Sequence, residues 1–296
     1  MTEFRTEKDS LGEVRVPAQA LYGAQTQRAI DNFQFSGITL PGGFISSLGL
    51  IKAAAARANA DVGLLESTVA DGIAAVAMSI SNGVHHDQFP VDVFQTGSGT
   101  STNMNANEVI ATLAAQRLGM PVHPNDHVNC SQSSNDVIPT AIHVSAELAL
   151  ENLLLPAIAH LASVIAAREE RSTGLIKTGR THLMDAMPIS LAQEFSGWRA
   201  QMTLGAQRID SSRPQLRQLA QGGTAVVTGI NADPQFATRF CFHLTEFSVR
   251  PITHAENYFA AITSQDVAVA LSGQLRSLDL ALLNIANYLS CLNSGP

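Results

Sequence analysis

The chain has 296 residues, of which 45% are hydrophobic and 15% charged, and its formal net charge is -7 with an isoelectric point near 5.7. This composition is typical of a globular protein and excludes a disordered one. An acidic chain without a lysine or arginine cluster also lacks the electrostatic footprint of a nucleic-acid binder.

The first 136 residues predict a separate N-terminal helical domain. Apolar positions recur at helical spacing over residues 44–62, 66–83 and 102–118, and Pro, Gly and Asn turns separate these stretches. We place the end of this domain near Asp136, where a polar loop leads into a longer helix.

Residues 137–296 predict a long antiparallel helical bundle. One rod begins after Asp136, a second begins near Pro188 and continues to Ile209, and a third begins at Val267. The third rod carries a single apolar stripe formed by Leu271, Leu275, Leu278, Leu282, Ile285 and Leu289. The first rod, 137–167, is apolar on several faces but is interrupted by polar residues, so we expect a helix inside a bundle and no membrane span. The predicted fold is therefore mainly α, with domains at 1–136 and 137–296.

The cysteines and the adjacent histidines predict neither a disulfide framework nor a metal site. Cys130, Cys241 and Cys291 are widely spaced and form no C-x-x-C pair, which favours free thiols in the reducing cytoplasm. The pair His85 and His86 has no second cluster at ligand spacing, so we interpret it as a solvated turn. The opening residues contain no apolar leader, which also favours a cytoplasmic protein.

Three loops gather polar residues: GSGTSTN at 97–103, SQSSND at 131–136 and GRTHLMDAMP at 179–188. Each is predicted to precede a helix, where unpaired backbone N–H groups and partial positive charge favour anions. Capping alone explains any single loop, because Ser, Thr, Asn and Asp are the preferred N-caps. Three such loops together predict a composite carboxylate site, formed across the fold or between subunits.

His182 lies in the third of these loops, directly after Thr181, and not on an apolar stripe. A lone histidine is more often structural, yet imidazole exchanges protons near neutral pH, which makes His182 the candidate for proton transfer. By contrast, His143 and His160 fall within the first rod, and we interpret them as bundle residues.

Four longer motifs resemble those of class II fumarases in the fumarase/aspartase superfamily, and they occur in the same order. They are GSGTSTNMNANEV at 97–109, HPNDHVNCSQSSND at 123–136, GRTHLMDAMPISLAQEFSGW at 179–198 and GGTAVVTGIN at 222–231. Aspartases are similar but typically carry an extra residue in the first loop, Thr in place of Ser134 and Gln in place of His182. The resemblance therefore favours a fumarase, with an aspartase-type ammonia lyase as an alternative.

The resemblance implies reversible hydration of fumarate to L-malate by a homotetramer, without a metal or organic cofactor. It implies that His182 is catalytic and positions or relays a proton for the water. Its substrate-binding residues would be Ser98, Gly99, Thr100, Ser133, Ser134, Asn135 and Thr181. His123, Asn125 and Asp126 match an accessory dicarboxylate site of that family. The implied partners are a small dicarboxylate and further copies of the chain, with neither nucleic acid nor membrane.

One motif of the resembled family is absent from these 296 residues. It is a loop of the form G-S-S-x-M-P-x-K-x-N, which supplies a serine base and a lysine for a substrate carboxylate, and a small C-terminal domain follows it. The chain thus resembles a C-terminally shortened fumarase with the C-terminal domain absent, and we expect impaired or no hydratase activity from it alone. A non-catalytic dicarboxylate-binding or assembly subunit is the second hypothesis.

Overall fold

The structure, a computed structural model, describes residues 3–293 and is mainly helical, as the periodicity predicted. Its helices are α1 (Ala24–Asn32), α2 (Gly42–Asp61), α3 (Ser67–Ser81), α4 (Thr100–Leu118), α5 (Ser134–Ala149), α6 (Leu155–Arg171), α7 (Leu191–Leu216), α8 (Phe236–Ser248), α9 (Tyr258–Thr263) and α10 (Asp266–Asn293). Its strands are β1 (Phe4–Asp9), β2 (Gly12–Pro17), β3 (Ile176–Thr181), β4 (Met184–Ser190), β5 (Gln218–Leu219) and β6 (Thr253–His254). They pair as two antiparallel hairpins, β1 with β2 and β3 with β4, and as one short parallel pair of β5 with β6.

The chain divides into two compact units. The first contains Met1–Ala146 and Arg217–Gln265, and the second contains Glu147–Leu216 and Asp266–Pro296. The predicted division at Asp136 falls shortly before the first of these boundaries. Residues 217–265 return to the first unit, and helical periodicity carries no signal for such a return.

The core of the first unit forms around α2, which packs on α3 and α8. The alanine-rich run of α2 is buried, and Leu48, Ile51 and Lys52 have no exposed surface. Gly49 permits the close approach of α3, because a Cβ there would lie 2.6 Å from the carbonyl oxygen of Ala77. This packing places a lysine side chain in an apolar core.

A carboxylate from α4 caps the start of α1, which has no side-chain cap of its own. Glu108 accepts hydrogen bonds from the backbone N–H groups of Gly23, Gln25 and Thr26, and from the Thr26 hydroxyl at 2.6 Å. These bonds satisfy donors that every helix N-terminus leaves unpaired, and they fix α1 against α4.

The second unit is a bundle in which α7 packs against both α6 and α10. The predicted stripe of α10 is divided between two environments. Leu271, Leu278 and Ile285 are buried at seven-residue intervals, whereas Leu282 and Leu289 are 37% and 50% exposed. Only part of this apolar surface is therefore covered within one chain.

The prediction of a polar loop at 179–188 is wrong, because these residues form part of the hairpin of β3 and β4. Pro188 does not open a helix as predicted; it lies in β4, and α7 begins at Leu191. Pro188 pairs with Thr178 where the register shifts, and such irregular positions tolerate a residue without an N–H. Gly179 fits the same place, since a Cβ there would lie 2.6 Å from the carbonyl oxygen of Met187.

The helical run Ser134–Arg171 has the length and apolar composition of a membrane span, with a mean hydropathy of 1.7 and 17% of the window buried. Core helices of soluble proteins pass the same test but are mostly buried, whereas most of this window is not buried within one chain. This run carries a buried charge, Glu147, which accepts hydrogen bonds from Arg213 of α7 at 2.8 to 3.2 Å. Arg213 also bonds Asp210 at 3.0 Å and contacts Glu151.

We expect Arg213→Met to destabilise the second unit, because it removes the guanidinium that donates three hydrogen bonds to the buried Glu147 carboxylate. Removing one member of a buried ion pair costs about 3–5 kcal/mol. Urea unfolding followed by Trp198 fluorescence measures the effect, since Trp198 is the single tryptophan and is buried on α7. The matched control is Arg199→Met on the same helix, whose ion pair with Glu169 is exposed. Equal unfolding midpoints for the two variants would contradict this account.

Candidate functional site

The first polar loop ends at the N-terminus of α4, as predicted. Gly99 is the N-cap residue, and its φ of 65° lies in the left-handed region that favours glycine. A Cβ on Gly99 would lie 2.9 Å from Cγ1 of Ile138. The hydroxyls of Ser98 and Thr100 lie 2.8 Å apart. Gly99 has no side chain to cap the helix, and Gln95 Oε1 accepts the backbone N–H of Thr102 in the first turn at 2.9 Å. The partial positive charge of the helix start favours an anion beside this loop.

The second polar loop is held by Asp136, a buried residue near the start of α5. Its Oδ1 accepts a hydrogen bond from the backbone N–H of Ser133 at 2.9 Å. Its Oδ2 accepts from the N–H groups of Gly222 and Thr224 at 3.1 and 2.9 Å. One carboxylate therefore joins the 131–136 loop to residues 222–224, which are distant in sequence.

These loops surround a cavity of about 580 Å³ in the first unit. Several predicted substrate-binding and accessory-site residues line it together: Thr100, Ser133, Ser134, Asn135, Asn125 and Asp126. Ala225 and Asn231 line another wall, and the side-chain amide of Asn135 donates to the Ala225 carbonyl at 2.8 Å. Apart from the exposed Asp126 carboxylate, the polar lining consists of neutral hydroxyl, thiol and amide groups.

Two charged groups lie buried close to this lining. Burial lowers the pKa of Lys52 to about 7, and the charge of Asp136 opposes that change. Burial also raises the pKa of Asp136 to about 6, against its three backbone donors and Lys52. For both groups burial favours the neutral form, and the opposite charge of the other group favours the charged form.

Sequence reasoning missed four residues that organise this cavity: Lys52, Asn103, Asn129 and Asp136. The ammonium group of Lys52 donates to Asn129 Oδ1 and Gln132 Oε1, both at 3.0 Å. A signal for Lys52 does exist, because it is the only charged residue in the apolar run 44–56. Asp136 was identified only as a domain boundary, although it follows Ser133 at capping distance.

The proposed accessory residues belong to a turn of π-helix, Pro124–Val128, with His123 at its N-cap and Asn125 and Asp126 within it. His123 caps this turn, because its Nδ1 accepts the backbone N–H of Asp126 at 3.2 Å. His123 and Asn125 also line a second cleft of about 730 Å³, beside the N-terminal hairpin. Asn125 borders both cavities, so the accessory residues are divided between two openings.

Thr181 and His182 lie in the second unit, at the tip of the β3–β4 hairpin. His182 and Leu183 form the two-residue connection, and both have positive φ, 51° and 63°. Such turns usually contain Asn or Gly, so two ordinary side chains here are strained, as is common at functional positions. Both predicted residues are exposed, and neither is among the residues that line the 580 Å³ cavity.

The described residues hold no group of three or more His, Cys, Asp or Glu side chains placed to bind a metal ion. Cys130, Cys241 and Cys291 are free thiols, and Cys130 lines the smaller cavity. The donors available to a ligand are therefore hydroxyl, amide and backbone groups, which suit carboxylate oxygens.

Comparison with known proteins finds similarity along the whole chain. A family model described as Lyase matches residues 12–296. Fumarate hydratase class II 2 of Pseudomonas aeruginosa is 53% identical over 296 residues, covering 100% of this chain and 65% of the relative. The class II fumarate hydratase of Xylella fastidiosa strain Temecula1 is 52% identical over 293 residues, covering 99% of this chain and 62% of the relative.

A solved structure gives the same result for the fold. The recombinant class II fumarase from Schistosoma mansoni has a TM-score of 0.96 and 37% sequence identity, covering 99% of this chain and 66% of that one. The chain thus spans less than two thirds of the length of the curated relatives described above.

We expect Gly99→Ala to destabilise the first unit. A left-handed backbone costs a residue with a Cβ about 1–2 kcal/mol, and overpacking against Ile138 adds about 1–3 kcal/mol. Urea unfolding followed by circular dichroism measures the change. Gly97→Ala is the control, because a Cβ there meets nothing within 4 Å. The geometry described for Gly99 is wrong if both variants unfold at the midpoint of the parent chain.

Proposed function

The chain belongs to the lyase family whose model matches it, and from that premise we propose that it binds a four-carbon dicarboxylate and serves the reversible hydration of fumarate to L-malate. One observation carries this proposal: Thr100, Ser133, Ser134 and Asn135 line one cavity as neutral hydrogen-bond donors. The similarity to proteins named class II fumarate hydratase supports the substrate and the reaction.

The cavity offers what this reaction requires electrostatically. In the malate direction a base removes a proton from C3, the electron pair moves onto the adjacent carboxylate, and the C2 hydroxyl then leaves as water after it is protonated. The intermediate carries extra negative charge on one carboxylate. A donor aimed at such charge contributes about 3–4 kcal/mol to the transition state. We assign this role to Thr100 and Ser133–Asn135, which line the cavity, and to Ser98 and Gly99, which precede Thr100 in the same loop.

His182 is proposed as the residue that positions or relays the proton for the water, with Thr181 binding substrate beside it. The exposed, strained hairpin tip supports this assignment, because strain is retained where the surrounding structure or a function maintains it. We assign His123, Asn125 and Asp126 to an accessory dicarboxylate site.

We further propose that the chain acts as a homotetramer in the cytoplasm, and that loops from different copies complete each site. The apolar side chains exposed on the second unit support assembly, among them Leu280 at 55% and Leu283 at 52%. Free thiols fit a reducing compartment.

The assembly proposal predicts a mass of four chains by light scattering. Leu283→Asp on α10 is expected to lower that mass, because a buried unpaired carboxylate is costly at an interface. Leu11→Asp is the control, since Leu11 is 78% exposed on the turn of the N-terminal hairpin. A monomer at all concentrations would contradict the tetramer.

The dicarboxylate proposal predicts that Ser134→Ala weakens the binding of succinate and L-malate about 10-fold or more, because one charge-directed hydrogen bond is worth about 1.5–3 kcal/mol. Titration calorimetry measures binding, and loss of the ultraviolet absorbance of fumarate measures hydration. Ser211→Ala on α7 removes an exposed hydroxyl, which bonds the Arg208 carbonyl, and is expected to change neither.

Three outcomes of these assays separate the hypotheses. Fumarate hydration by the parent chain, with a rate that falls about 10²–10³-fold in Ser134→Ala, supports the fumarase function. Dicarboxylate binding without turnover supports the non-catalytic subunit. Ammonia release from aspartate in place of fumarate hydration supports the aspartase-type lyase, and absence of all three contradicts a dicarboxylate site.

A further inference from the structure

Lys52 is fully buried, and the hydrogen bonds that its ammonium group donates go to neutral groups and not to a carboxylate. Its side chain lies in the core run of α2, and its hydrogen-bond acceptors there are the neutral side-chain oxygens of Asn129 and Gln132. Buried lysines are rare because removing an ammonium from water is costly. A group retained at that cost is expected to do work that an apolar residue cannot do.

A short chain of hydrogen bonds connects Lys52 to the cavity. Asn129 Oδ1, which accepts from Lys52, also accepts from Asn103 Nδ2 at 3.2 Å. Asn103 Nδ2 also donates to the hydroxyl oxygen of Ser134 at 3.0 Å. Because that oxygen already accepts a bond, the Ser134 hydroxyl hydrogen is available to donate to a ligand in the cavity.

The remaining bonds of the network fix the same loop. The Asn129 amide donates to the Gln132 carbonyl at 3.3 Å, and the Gln132 amide donates to the carbonyls of Val128 and Cys130 at 3.0 Å. Both acceptors of Lys52 are thereby anchored within residues 128–132. The bonds from an ammonium to these two oxygens are charge-assisted, whereas a neutral amine keeps two N–H donors but makes weaker bonds with them.

We propose that Lys52 is a positioning residue: while protonated it holds Asn129 and Gln132, and through Asn103 it orients Ser134, so that dicarboxylate binding favours proton uptake at this lysine. The second part rests on the proposed dicarboxylate function of the cavity. The first part concerns the loop alone and is tested without a ligand.

The charges around Lys52 favour such coupling. Its lowered pKa, caused by burial, places the change between ammonium and amine near neutral pH. A dianion in the cavity stabilises the ammonium form, so affinity is highest below this pKa and falls as pH rises through it. The fall approaches about tenfold per pH unit when one proton is linked to binding.

Asp136 on α5 is the charged group that acts on Lys52, and it favours the ammonium. Charged groups on the other elements that pack against α2 have partners or exposure of their own. Asp71 of α3 pairs with Arg57, and His243 of α8 pairs with Asp61. Glu108 of α4 bonds the start of α1, and the Asp126 carboxylate is 77% exposed and lies 3.2 Å from His123.

The first experiment follows the lysines directly. The chain contains three, Lys8, Lys52 and Lys177, so labelling with ε-¹³C lysine gives three NMR signals that single Lys→Arg variants assign. We expect the Lys52 signal to titrate near pH 7 and to move to higher pH when succinate is added. Titration in the ordinary range of lysine, near about 10.4, overturns the proposal.

The second experiment uses Lys52→Met and Lys52→Arg, with Lys177→Met as the control, because Lys177 pairs with Glu194 in the second unit. Hydrogen exchange measures the protection of residues 128–136. We expect at least tenfold faster exchange in Lys52→Met, near-parent protection in Lys52→Arg, and no change in the control. Succinate affinity is expected to lose its pH dependence above neutrality in Lys52→Arg.

The outcomes distinguish this proposal from the proposed function. If hydrogen exchange of residues 128–136 is unchanged in Lys52→Met, the positioning role of Lys52 is overturned, whether or not succinate binds. If Lys52 titrates near pH 7 and protects the loop but succinate does not bind, the positioning role is supported. The same result overturns the dicarboxylate function and the linked proton uptake. If both variants misfold, the NMR titration of the parent chain still decides.

Discussion

The candidate site depends on a single buried carboxylate, that of Asp136. It accepts backbone hydrogen bonds from Ser133, Gly222 and Thr224, which belong to two segments that are distant in sequence. The Asn135 amide adds one further bond between these segments, to the Ala225 carbonyl. A carboxylate shared among backbone donors is stable in the interior because each of its bonds is charge-assisted. Without it, the loop before α5 and the loop after β5 would each satisfy their N–H groups separately, and the cavity between them would lose two of its walls.

Much of the fold could be predicted from the sequence because helical periodicity is a local signal. The expected helices at 44–62, 66–83 and 102–118 correspond to α2, α3 and α4, with ends displaced by one or two residues. The hairpin of β3 and β4 was missed because Gly179 and Pro188 indicate a loop locally, while a register shift accommodates both within paired strands. The return of residues 217–265 to the first unit depends on long-range packing, for which no short pattern exists.

The sequence predicted the hydrogen-bond donors that line the candidate site, but it did not predict the buried residues that hold those donors in place. Ser, Thr and Asn at helix starts indicate anion binding whatever lies beneath them, and Thr100 and Ser133–Asn135 do line one cavity. Lys52 and Asn103 act through contacts across 26 to 80 positions of sequence, so the letters around them describe only a buried helix. For His182 the neighbouring residues in sequence did predict a functional role. Its hairpin, however, belongs to the second unit and not to the unit that contains the cavity.

The backbone of the 222–231 segment has a consequence for how the cavity forms. Thr224, Val227 and Asn231 all adopt left-handed φ values, between 57° and 65°, and a β-branched residue such as valine rarely does so. Local preferences thus oppose this shape, and only contacts made by the rest of the molecule, such as the bonds to Asp136 and Asn135, can impose it. The shape of this wall is therefore a property of the whole first unit, and a change at Asp136 or Asn135 acts on the segment through these bonds.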